Sequence, residues 1–157
     1  MGHPYAVSVR QSDLAPASRW PISFLRKVVY TTLGVADCRG PVELSLTMTS
    51  DAKIHQLNLD YRGIDKPTDV LSFALEEGPP MALPADMPRQ LGDIVVSLET
   101  TLRQAQEYAN QPQAEVAWVI CHGVLHLLGY DHQKPDEFER MRSQEQKVLT
   151  QLGLSRP

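Results

Sequence analysis

The chain lacks any apolar run approaching the roughly 20 residues that a membrane-spanning helix requires, and Met1 to Arg10 has no apolar centre of the kind a secretory signal carries. A soluble protein with no membrane association is therefore expected. Cysteine is scarce. Cys38 and Cys121 are the two in 157 residues, too few for a disulfide framework and in keeping with a reducing cytoplasm. A basic excess is missing as well, since 15 Lys and Arg against 19 Asp and Glu leave a net charge of −4. Bulk charge thus gives no sign of nonspecific nucleic-acid binding, which draws most of its affinity from phosphate neutralisation. No repeat or low-complexity tract points to a solenoid or a disordered chain. What remains is ordinary globular composition, 42% hydrophobic and 22% charged. Residues 1–157 suffice for one domain that buries about 68–70% of its unfolded surface.

What the chain does have is concentrated in His122-Gly123-Val124-Leu125-His126-Leu127-Leu128-Gly129-Tyr130-Asp131-His132, which holds three of the five histidines. Val116 to Leu128 is almost wholly apolar and reads as a buried helix. Residues four apart share a helical face with Cβ atoms roughly 5–6 Å apart, so His122 and His126 can meet one ion. Gly129 permits the left-handed conformation that ends a helix, and the chain can then return His132 to the same ion. Three protein ligands with one open position is the arrangement of catalytic rather than structural zinc, and zinc so held lowers the pKa of water to about 7. Neither cysteine is expected as a fourth ligand: Cys121 points about 100° around the helix from His122, and Cys38 is remote in sequence.

The spacing matches the long zinc-protease motif, except that Gly123 stands where that motif has its glutamate base. A peptidase uses that carboxylate to take a proton from water, so peptide hydrolysis by the usual route is disfavoured.

Around this window the chain alternates elements. Tyr5 to Arg10 reads as a strand, Pro16 to Leu33 as a helix ended by Gly34, and Val42 to Met48 as a strand with one buried face. Arg19 and Arg26, seven apart on that first helix, would share a side open to phosphates or simply to solvent. Ser50 caps a helix running to about Arg62 and stopped by Gly63, and Asp69 to Ala74 is a further strand. A proline-rich stretch from Glu76 to Gln90 reads as an irregular connection, possible as a contact loop or lid. Gly92 to Ser97 is a strand, Leu98 to Ala109 and Gln113 to Leu128 are helices, and a last helix opens at Pro135 and ends before Gly153. Strand-helix-strand steps favour parallel crossovers, and the last two strands, with no helix between them, favour antiparallel pairing. The expected fold is α/β (α+β mixed): a mixed sheet of about four strands with about five helices, the histidine-bearing helix central.

Two further stretches, Asn58 to Phe73 and Leu91 to Ser97, together with His122 to His132, closely resemble the signature blocks of the YbeY family of bacterial rRNA-maturation endoribonucleases. The likeness runs in order over roughly residues 42 to 150, and glycine after the first histidine is that family's own pattern. The resemblance implies a single cytoplasmic metallo-endoribonuclease domain that is zinc-dependent and specific for single strands. It implies action in 16S rRNA 3′-end maturation and ribosome quality control, with single-stranded rRNA, ribosomal subunits and ribosome-assembly proteins as partners. By position it makes His122, His126 and His132 the ligands of one Zn2+ and Arg62 the functional arginine, suited to clamp phosphate oxygens by two parallel hydrogen bonds. From the residues alone, Arg62 is sooner read as a surface ion-pair partner of an acid such as Asp65, and Asp131 is an orienting acceptor for an imidazole, a proton-transfer group or a turn residue. The alternatives are a noncatalytic assembly factor stabilised by zinc and, less favoured, a zinc peptidase.

Overall fold

The computed structural model describes residues 4–75, 87–131 and 133–156. Its elements are β1 (Tyr5–Gln11), α1 (Ile22–Val35), β2 (Val42–Thr49), α2 (Asp51–Arg62), β3 (Val70–Ala74), β4 (Arg89–Ser97), α3 (Leu98–Glu107), α4 (Pro112–Leu127) and α5 (Pro135–Gln151), with a 3-10 turn at Pro16–Ser18. The four strands form one sheet in the order β1-β2-β4-β3. β1, β2 and β4 run parallel, and β3 pairs antiparallel with β4. The expected mixed sheet with five α-helices is therefore present among the described residues.

Three expectations are corrected. The step from β2 through α2 to β3 is not the expected parallel crossover: β4 takes the place beside β2, and β3 goes to the edge, antiparallel to β4 and so to β2. β4 carries Leu91, Ile94 and Val96, all fully buried, whereas only Leu71 of β3 is buried, so the richer strand occupies the interior. β4 also starts at Arg89 rather than Gly92, after a register shift opposite Glu43 and Leu44 that leaves Leu91 as an extra residue, with Gly92 at φ +132°. Lastly, the helix expected from Pro16 starts at Ile22, with Pro21 as its N-cap and Arg19 in extended backbone. No common helical side therefore joins Arg19 to Arg26, whose Nε donates to the Val7 carbonyl at 3.2 Å. That helix also runs past Gly34 to Val35, and Asp37 at φ +54° adopts the left-handed turn conformation. Residues 76–86 of the proline-rich stretch lie outside the described residues.

The helix starts follow capping chemistry. The Ser50 hydroxyl accepts from the Lys53 amide at 3.3 Å and the Ser97 hydroxyl from the Thr100 amide at 3.2 Å, satisfying donors that the first turns of α2 and α3 leave open. α4 is the central helix: eleven of its sixteen residues are buried, and it packs on β3, β4, α1, α3 and α5. The close approach of α4 to the sheet is made at Gly123, where an added Cβ would lie 2.8 Å from Ile94 Cγ2 and 3.2 Å from Val70 Cγ2. The Ser72 hydroxyl donates to the Gly123 carbonyl at 3.1 Å across this contact. Phe73, whose side chain alternates with those of Val70 and Ser72, packs instead edge-on against Tyr61 of α2 with ring centroids 5.3 Å apart. The end of α2 and the middle of α4 thus sit on opposite faces of edge strand β3. Among the described residues no helix is long and apolar enough to cross a membrane.

Candidate metal centre

His122 and His126 lie one helical turn apart on α4, and their Nε2 atoms face each other at 3.1 Å. Two bonds of about 2.0–2.1 Å to one tetrahedral ion would set the nitrogens roughly 3.3 Å apart, so the pair fits a shared divalent cation with almost no movement. The rings meet edge to face, centroids 4.6 Å apart, and Trp118 packs on His122 at 5.2 Å. Both histidines are partly exposed, as a site open to substrate requires.

The turn after them is built as a Schellman motif. The Gly129 amide donates to the His126 carbonyl and the Tyr130 amide to the Leu125 carbonyl, each at 3.0 Å, with Gly129 at φ +94°. Tyr130 packs in the same apolar cluster as Leu125, which gives the motif its customary hydrophobic clasp. The chain is thereby turned back just beyond His126. His132, the expected third ligand, lies outside the described residues. Among the described residues no three His, Cys, Asp or Glu side chains converge on one point.

Nδ1 of His122 is hydrogen-bonded to Glu145 Oε2 of α5 at 2.9 Å, with the two side chains 21% and 10% exposed. Sequence reading missed Glu145. The available signal was its position on the apolar face of the last helix, between Met141 and Val148, where a carboxylate is out of place. Cys121, the neighbour of His122, is fully buried in the α4–α5 interface, and burial pushes its thiol up to about 12, so it stays protonated. Neither cysteine forms a disulfide among the described residues.

Arg62 ends α2 at the surface, followed by Gly63 at φ +69°. Its Nη1 donates to Asn58 Oδ1 at a long 3.4 Å, and it shares no hydrogen bond with the histidine pair among the described residues. The ion pair with Asp65 open to it on sequence grounds is not formed, because Asp65 instead meets His55 Nε2 at 2.7 Å. The guanidinium is thus left with most of its donors facing solvent. Asp131 follows the turn, half-buried.

The fold and the paired imidazoles define an α/β protein with a two-histidine candidate metal centre on its central helix. Residues 8–153 match the family model Endoribonuclease YbeY. The chain is 47% identical over 135 residues to the Endoribonuclease YbeY of Roseiflexus castenholzii, covering 85% of each chain. It is 53% identical over 114 residues to that of Pelotomaculum thermopropionicum, covering 73% and 74%. This chain belongs to the Endoribonuclease YbeY family. Among solved structures it resembles TM1509 from Thermotoga maritima, determined in solution, with a TM-score of 0.59 and 26% identity over 94% of this chain and 91% of that one.

Proposed function

We propose that this chain is a zinc-dependent, single-strand-specific endoribonuclease that acts in 16S rRNA 3′-end maturation and ribosome quality control in the cytoplasm, on ribosomal subunits and alongside ribosome-assembly proteins. The observation that carries the reading is the pair of Nε2 atoms at 3.1 Å on the central helix of a chain whose family match spans residues 8–153. In this reading His122 and His126 hold the ion through Nε2, and His132 completes the set. Zinc so held supplies a Lewis acid that activates water, or the substrate's 2′-OH, for attack on the phosphodiester.

The remaining work belongs to the chain's own side chains. Arg62, with its guanidinium committed only to Asn58, is available to take two phosphate oxygens and to stabilise the charge that develops on them. The packing of position 123 against Ile94, Val70 and Ser72 supports the case against a peptidase's glutamate base there.

The test is cleavage of a labelled single-stranded fragment from the 3′ region of the small-subunit rRNA by the wild type and by His126→Ala, purified identically and both shown to be folded. Cleavage by the wild type and a loss of at least about 100-fold in the variant are expected, the scale on which a lost catalytic group is felt. Equal cleavage by both proteins, or by neither, overturns the nuclease reading.

A further inference from the structure

Glu145 occupies a place where the helix period calls for an apolar side chain. It lies on the stripe of α5 formed by Met141, Val148 and Leu149, and the four residues are 2%, 8%, 0% and 6% exposed in the order Met141, Glu145, Val148, Leu149. Stability alone would favour leucine there, since withdrawing a carboxylate from water is costly and a single neutral hydrogen bond offsets little of that cost. Among the described residues no Lys or Arg forms an ion pair with it, although Arg142 and Arg156 line the same cavity, and its bonded partner is Nδ1 of His122. A carboxylate at Nδ1 does two things to an imidazole. It accepts the Nδ1 hydrogen, which leaves the Nε2 lone pair free, and it holds the ring plane fixed. In this structure that Nε2 is the atom that faces His126 Nε2 at 3.1 Å.

Resting on the metal reading above, we infer that Glu145 is the positioning residue of the centre: it sets the tautomer and orientation of His122 and strengthens Nε2 as a donor to a divalent cation. The last helix is then part of the metal site, although it supplies no ligand. Glu145 would also place a carboxylate across the His122 ring from a bound cation.

The full chain carrying Glu145→Gln or Glu145→Leu tests this by two readouts independent of catalysis: Zn2+ affinity, measured by competition with a chromophoric chelator, and urea denaturation of the metal-free protein. Affinity is expected to fall about 10-fold for Gln and nearer 100-fold for Leu, the range found when such outer partners are removed. The metal-free Leu variant is expected to be at least as stable as the metal-free wild type, because a buried carboxylate has gone. Zn2+ binding by either variant as tight as that of the wild type overturns the inference. So does a Leu variant destabilised when metal-free beside a Gln variant that binds normally, which would assign Glu145 to packing. Absence of Zn2+ binding by the wild type itself overturns the metal reading first and this inference with it, and is told apart by that control.

Discussion

Gly123 shows how one missing side chain serves packing and chemistry together. In the sequence its interest is negative, a protease base that is not there. In the structure it is the point where α4 touches the sheet, and a Cβ would press on the branched side chains of Ile94 and Val70, which cannot swing aside. Gly123→Ala is accordingly expected to lose about 1–3 kcal/mol of stability by overpacking, despite the better helix propensity of alanine, as measured by urea denaturation. At this scale the meeting of His122 and His126 on one helical face was legible, because a spacing of four on an apolar helix leaves little freedom in where they point. Glu145 was not legible. Its partner is 23 positions away, and only the docking of α5 on α4 brings them together.

Among the elements, the strands and helices were readable wherever the apolar period was unbroken, and misread where it was interrupted. β2 keeps strict alternation and was placed within a residue of its bounds. β4 does not, since the extra residue at Leu91 puts buried Leu91 and Ile94 three apart and hides the start of the strand. Gly92 makes this bulge feasible: at φ +132° an added Cβ would lie 2.1 Å from the Phe73 carbonyl oxygen of β3. Gly92→Ala should cost on the order of 1–3 kcal/mol from backbone strain alone and loosen the β3–β4 pairing, seen as faster exchange of the Leu75 amide, which donates to the Leu91 carbonyl, and of the Ser97 amide, which donates to the Asp69 carbonyl. Two helix starts are also tied together here. Burial alone would raise the Asp51 carboxyl, but hydrogen bonds from Ser97, Thr100 and Arg103, with the Arg103 charge, hold it below its ordinary value of 3.8. A lowered carboxyl stabilises the fold above its unfolded value and loses that contribution as the pH falls through the lower one. The fall in urea midpoint below about pH 4 should therefore be shallower in Asp51→Asn than in the wild type.

For the whole molecule, the net charge of −4 means that the folded chain attracts RNA only through local cations. If Arg62 neutralises one phosphate of a single strand, Arg62→Ala should reduce the slope of log K against log salt by about 0.7, measured by anisotropy of a labelled oligoribonucleotide. An unchanged slope would place the phosphate contact elsewhere. The sheet order was only half legible, because which strand takes the centre depends on burial summed over the assembled sheet rather than on any one segment. The contact between α5 and α4 also has a consequence in time. Because α5 follows α4 in the chain, His122 meets the Glu145 carboxylate only after the last helix has been made and has docked.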